Sequence, residues 1–219
     1  MPPTKEAITR AVDEVKRLLA KRNFKQSIEL AVKLRDIDLK KPENRINELI
    51  ELPNAIEKNV RICMIAGGDL ALRAKKGGSD LVIGKEELAK LAEEKKAVKK
   101  LSNEYDFFVA EAQLMPLVGK TLGANLGPKG KMPTPALPGT DVEDVFKRLR
   151  KTVRVRVRDQ PLIQCRVGTE DMATEKIVEN IHALLTRIES KLDRGAKNME
   201  WINLKSTMGN SVIVPTTAS

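Results

Sequence analysis

Residues 60–83, VRICMIAGGDLALRAKKGGSDLVI, decide the fold. Val60–Ile65 is a short apolar run, the length of a buried strand, and it stops at Gly67–Gly68. Asp69–Lys76 then has helical spacing, Gly77–Gly78 ends it, and Asp80–Ile83 is a second strand. Outward along the chain, Glu86–Leu101 predicts a charged amphipathic helix carrying Leu88, Leu91, Val98 and Leu101. Tyr105–Ala110 is a third apolar strand, and Pro116 opens a short helix. Strands alternating with helices at this spacing call for parallel pairing through right-handed crossovers. An α/β domain, Rossmann-like and three-layered, is therefore expected over residues 59–152.

Both flanks read differently. Thr4–Arg22 places Ile8, Ala11, Val12, Val15, Leu18 and Leu19 on one helical face, with Thr4 as N-cap. In the run after it, Ile28, Leu30, Val32 and Leu34 alternate with Ser27, Glu29, Ala31 and Lys33, the mark of a half-buried strand. A break at Lys40–Asn44 precedes an extended Arg45–Leu52, closed by Pro53. Beyond the α/β region, Val153–Arg158 and Leu162–Val167 are strands joined at Asp159-Gln160-Pro161, a hairpin candidate. Thr174–Leu192 is a strong helix, and Trp201–Lys205 and Ser211–Val214 are the last extended pieces. Neither flank can bury a core alone. Residues 1–56 and 154–219 are expected to form one α+β domain, an antiparallel sheet with helices, interrupted by the α/β insert. Hinges would fall near Pro53–Asn59 and Lys151–Val153.

Composition narrows the function classes. The chain has 219 residues, 41% of them hydrophobic, and carries 40 Lys+Arg against 30 Asp+Glu, a formal charge of +10. The excess is +3 for residues 1–58, +5 for 59–152 and +2 for 153–219, so it is no detachable tail. Such a bias favours a polyanionic partner such as nucleic acid. No apolar run approaches the roughly 20 residues a membrane span requires, and MPPTKEAITR leads straight into a charged helix rather than a signal peptide. Two cysteines, Cys63 and Cys165, and one histidine, His182, complete neither a disulfide framework nor a zinc set. With one histidine, no Ser-His-Asp or Cys-His machinery forms. Gly119-Lys120-Thr121 has Leu114 where a P-loop needs its first glycine, and Gly67–Gly68 lacks the G-x-G-x-x-G spacing. No enzyme, metal or cofactor is expected. The six aromatic residues, three of them inside Tyr105–Phe108, are too few for recognition by extensive base stacking. Backbone and folded shape are what such a chain would read.

Two basic features stand out. Lys147–Arg158 holds seven cations and no acid, and alternation puts Arg154, Arg156 and Arg158 on one strand face. That face is either a solvated arginine coat or a phosphate contact. Ala112–Thr140 contains no acid, five prolines, five glycines and Lys120, Lys129 and Lys131. It reads as a long, stiff loop with cationic tips, better suited to touching a polyanion than to mere connection. Phe24 is an isolated ring before a strand, and Ser206-Thr207-Met208-Gly209 is a small-residue turn suited to reading ribose 2′-hydroxyls.

Four ordered motifs make the chain resemble the ribosomal protein L-one family of the large subunit, in its short archaeal form. They are Asn23-Phe24-Lys25-Gln26-Ser27-Ile28-Glu29-Leu30, Leu126-Gly127-Pro128-Lys129-Gly130-Lys131-Met132-Pro133, Arg166-Val167-Gly168 and Ser206-Thr207-Met208-Gly209. The resemblance spans essentially the whole chain and implies the split architecture described above. It implies an rRNA contact made by Phe24, Lys25, Ser27, Glu29, Gln164, Arg166, Gly168, Thr207, Met208 and Gly209. Auxiliary contacts would come from Lys129 and Lys131, to which the arginine strand adds Arg154, Arg156 and Arg158. The implied partners are large-subunit rRNA of the mobile side stalk, exit-site tRNA and the family's own mRNA. The protein would be a cytoplasmic ribosomal component, monomeric when free and away from membranes. A free RNA-binding regulator or RNA chaperone is the alternative function.

Overall fold

A computed structural model describes residues 3–39, 46–56, 60–157 and 159–215. It is a mixed α/β chain with one antiparallel and one parallel four-stranded sheet. The chain divides into two compact units, Met1–Glu57 with Lys151–Ser219, and Lys58–Arg150.

The chain enters through α1 (Lys5–Arg17), capped by the Thr4 hydroxyl, which accepts a bond from the Ala7 N–H at 3.3 Å. The helix ends five residues short of the sequence expectation. The Gln26 side-chain amide donates to the Ala20 carbonyl at 2.9 Å, turning the chain back toward β1 (Ser27–Leu34) and leaving Leu18 45% exposed. β2 (Asn47–Glu51) follows; the break expected at Lys40–Asn44 lies outside the described residues.

The second unit supplies β3 (Ile62–Ile65), α2 (Gly68–Lys76), β4 (Leu81–Ile83), α3 (Lys85–Glu93), α4 (Lys95–Glu104), β5 (Phe107–Glu111), α5 (Met115–Thr121), α6 (Gly123–Lys129), β6 (Thr134–Ala136) and α7 (Val142–Arg150). Its sheet runs β4-β3-β5-β6 with every pairing parallel. All four β3 residues are buried because they serve two cores. Ile62 and Met64 pack with Leu70, Ala74, Phe146 and Leu149 on one face; Cys63 and Ile65 pack with Leu88, Val98, Val118 and Leu126 on the other.

Two expectations fail here. The helix predicted over Glu86–Leu101 is two helices, broken at Glu94 (φ −103°, ψ 81°), where four consecutive charged residues offer no apolar side chain to hold the axis. Beyond the short helix expected at Pro116, which is α5, the loop predicted over Ala112–Thr140 contains α6 and β6. Val118, Leu122 and Leu126, four residues apart, are all buried; this helical stripe outweighs the glycines and Pro128. Gly130, at φ 72°, closes α6 in the left-handed conformation.

The chain returns as β7 (Thr152–Arg156), β8 (Leu162–Thr169), α8 (Thr174–Glu189), β9 (Met199–Ser206) and β10 (Ser211–Val214). The sheet order is β10-β9-β1-β8, antiparallel throughout. Ile28, Leu30, Val32 and Leu34 face a core built with Ile8, Val12, Ile177, Ile181 and Leu184 of the two long helices. On the opposite sheet face Ser27, Glu29, Ala31 and Lys33 of β1 are only half-buried.

The β7–β8 hairpin does not form. β7 pairs instead with β2, setting Arg154 opposite Leu49 and Val153 opposite Ile50. Pro161 has no N–H for a ladder, and its carbonyl accepts from Leu34 N at 2.8 Å, which draws β8 onto β1. Thr152 and Val153, expected in a hinge and in the insert, are therefore paired strand residues of the first unit. Of the other expected hinge, residues 57–59 lie outside the described residues. Asn54 before them is fastened to α8: Asn180, fully buried, accepts from Asn54 N at 2.9 Å. Its amide donates to Asn54 O at 3.1 Å and Val167 O at 3.0 Å.

Cys63 and Cys165 are buried, and burial pushes each thiol up to about 12. A raised folded-state value keeps the native thiol protonated while the unfolded thiol ionises, so this contribution to stability is lost as pH climbs from about 9 to about 12. Iodoacetamide at pH 8 is expected to leave both cysteines unmodified in the native protein and to alkylate both in urea; rapid native labelling would contradict the burial. Among the described residues no helix is long and apolar enough to cross a membrane, and no group of acids, cysteines and histidine could hold a metal ion.

Candidate nucleic-acid interface

One end of the four-stranded sheet gathers residues that are far apart in sequence. Ser27 registers with Thr169, and Ile28 with both Gly168 and Ser206, so the start of β1 and the ends of β8 and β9 lie together. A bulge between Ile28 and Glu29 skips Val167 and puts Arg166 opposite Glu29. On its other side Glu29 faces Lys205. One acidic position thus registers between two basic ones on the neighbouring strands, which lie roughly 4.8 Å to either side. All three residues are half-buried on the uncovered face. Gln164, exposed, lies opposite Ala31 one step further along that face.

The turn after β9 is tied to β1. Thr207 N donates to Ser27 O at 3.0 Å, and the Thr207 hydroxyl accepts from Ser27 N at 3.1 Å and lies 3.2 Å from Ser27 O. That hydroxyl, expected to read a ribose directly, is occupied by the backbone of β1 and acts as a clip. Gly209 N closes the turn onto Ser206 O at 3.1 Å, and a Cβ at Gly209 would come within 2.2 Å of the Ser206 hydroxyl. The clip holds Met208 outward, 62% exposed, and Phe24 before β1 is 50% exposed. Lys25 pairs with Asp171 at 2.6 Å, a solvent-exposed bridge weak enough for a phosphate to displace. Gly168 is buried, and a Cβ there would press within 2.9 Å of Ile177; its place is in the core under the interface.

Of the auxiliary residues, Lys129 and Lys131 belong to the second unit. Lys129 Nζ bonds Ser102 Oγ at 2.6 Å and Asn103 Oδ1, while Lys131 Nζ bonds Ser102 O at 3.1 Å and Tyr105 O at 2.6 Å. These lysines cap the C-terminal end of α4, where carbonyls and the helix dipole attract cations. They are not the cationic loop tips the sequence suggested. Arg154 and Arg156 lie on the β2–β7 ribbon, and Arg154 is half-buried. Its pKa is lowered by burial and then by the Arg156 charge, and its Nη1 is buried without a protein partner. Arg158 lies outside the described residues. Sequence reasoning missed Lys205. The alternation of Trp201, Asn203 and Lys205 with Ile202 and Leu204 was the signal that would have found it.

The sheet end thus gathers cationic, small polar and exposed apolar side chains from three distant segments. The family itself is defined by comparison: residues 15–210 match the Ribosomal protein L1p/L10e family. The chain is 47% identical over 209 residues to the large ribosomal subunit protein uL1 of Methanothermobacter thermautotrophicus, covering 95% of this chain and 99% of that protein. It is 45% identical over 210 residues to that of Hyperthermus butylicus, covering 96% of each. With that of Thermoplasma acidophilum it shares 46% over 205 residues, 94% of each chain. The chain belongs to this ribosomal protein family, which is not a family of enzymes.

Proposed function

We propose that the chain is a structural component of the large ribosomal subunit and grips a folded segment of its rRNA with the sheet end around Phe24, Glu29, Arg166, Lys205 and Met208. The observation that carries this reading is the meeting of three distant segments at one uncovered sheet end, with two large apolar side chains held in solvent there. Lysine and arginine neutralise phosphates, while short side chains and backbone approach the sugars. The rigid clip between Thr207 and Ser27 means little ordering remains to be done on binding. In the cytoplasm, the site would fasten the protein to the side stalk, where it assists release of deacylated tRNA. An mRNA segment folded like the rRNA would compete for the same surface and so repress translation.

Filter binding of the full chain to protein-free archaeal large-subunit rRNA is expected to saturate and to resist an excess of unstructured RNA. Equal competition by unstructured RNA would overturn the reading. In the same titrations Lys205→Ala should flatten the log–log salt dependence by about 0.7–0.9, the mark of one lost phosphate contact. An unchanged slope would remove Lys205 from the interface.

A further inference from the structure

The two-stranded ribbon of β2 and β7 registers Arg154 opposite Leu49, on the face that also carries Asn47, Glu51, Thr152 and Arg156. Ile50 and Val155, on the other face, belong to the core. Arg154 is half-buried, and Nη1 is the one nitrogen of its guanidinium sealed from solvent without a partner. A charge so placed is ordinarily answered by a carboxylate. The acids of the ribbon do not answer it. Glu48, on the core face, pairs with Arg187 at 3.4 Å and Lys191 at 2.7 Å. Glu51 registers opposite Thr152 rather than Arg154. Arg156 is engaged within the protein, so the unanswered charge is that of Arg154.

Such an arginine destabilises the free protein, because a buried donor without an acceptor costs more than an apolar group of the same shape. An anion turns that cost into binding. The guanidinium has already given up part of its water, so an anion reaching Nε and Nη2 meets a weakly screened cation and needs little further desolvation. The planar fork matches two oxygens of a phosphate. The Arg156 charge, two residues along the same strand face, adds to the field and favours a phosphate over a singly charged carboxylate. A neutral hydroxyl or amide would leave the buried charge unanswered.

We propose that Arg154 is the seat of one phosphate group, additional to the sheet end that carries Phe24 and Met208. The seat does not rest on the rRNA reading, since its chemistry is the same for a phosphate of an RNA backbone and for free phosphate.

The side-chain Nε–H resonance of Arg154, assigned by its absence in Arg154→Met, is followed while inorganic phosphate is added to the full chain at constant ionic strength. It is expected to shift and saturate at millimolar phosphate, together with the backbone amides of residues 48–50 and 153–155, and to respond less to acetate. Arg154→Met should weaken phosphate binding, read at those amides, about tenfold, the lower end for a hydrogen bond to a charged group. Arg154→Lys should weaken it to a lesser degree, because an ammonium keeps the charge but not the fork. Methionine keeps the stem and removes the unpartnered donor, so its melting temperature should rise by about 2–4 °C. No phosphate-dependent shift, a response equal to that of acetate, or binding unchanged in Arg154→Met would overturn the proposal. A lowered melting temperature would also overturn it, because the guanidinium would then be bonded within the protein. Filter binding to rRNA identifies the source of the phosphate. A log–log salt slope flatter by about 0.7–0.9 in Arg154→Met supports a seat for an RNA phosphate, and an unaltered slope with phosphate still bound supports a seat for free phosphate. Phosphate bound at Arg154 by a chain that does not retain rRNA would remove the interface reading and leave the seat.

Discussion

Phe24→Ala combined with Met208→Ala is expected to lower affinity for large-subunit rRNA roughly 100-fold while leaving the melting temperature unchanged. Truncating an aromatic side chain that packs on nucleic acid costs about 1–3 kcal/mol, and a buried methionine side chain is of similar worth. The fold gives no reason for these two side chains to be in water: Phe24 is 50% and Met208 62% exposed, whereas Ile28, Leu30 and Leu204 beside them are sealed in the core. Burial against RNA, as proposed above, would account for their exposure in the free protein. A loss of less than about threefold, measured by filter binding at fixed salt, would mean that they do not touch RNA.

The second large effect is on stability. Asn180→Leu keeps the branching of the side chain but strands three backbone groups, Asn54 N–H, Asn54 C=O and Val167 C=O, at a site where Asn180 is fully buried. Each buried unsatisfied group costs about 1–3 kcal/mol, and Asn54 recovers part of this from water. A net loss of about 3 kcal/mol is expected, a fall of roughly 6–12 °C in melting temperature for a chain of this size. An unchanged thermal midpoint by circular dichroism would show that the Asn54 stem is not fastened to α8.

How far the sequence was legible follows from which interactions are local. β1 was readable because its one-in-two alternation is imposed by a sheet with one covered face. The β3–β4 crossover was readable because the glycine pairs 67–68 and 77–78 bound its helix, and β5 because its apolar run stands out from the charged helices before it. The partner of β7 was not, since pairing depends on where Pro161 sends its carbonyl, a contact with Leu34 127 positions away. α5 was signalled by Pro116, but α6 was hidden because glycine and proline content suggested a loop, while Val118, Leu122 and Leu126 carried a helical stripe. At the site, Phe24, Met208 and Arg166 could be named from motifs. The clip role of Thr207, the capping role of Lys129 and Lys131, and the place of Lys205 beside Glu29 are set by register and tertiary neighbours. Motif spacing does not encode those.

Hydrogen exchange of the full chain, free and saturated with large-subunit rRNA, tests the central claim most directly. The account predicts slowed exchange in residues 24–29 and 204–209 and little change at the strands buried in the second unit. Unaltered exchange at those two segments, with protection confined to residues 60–150, would contradict it.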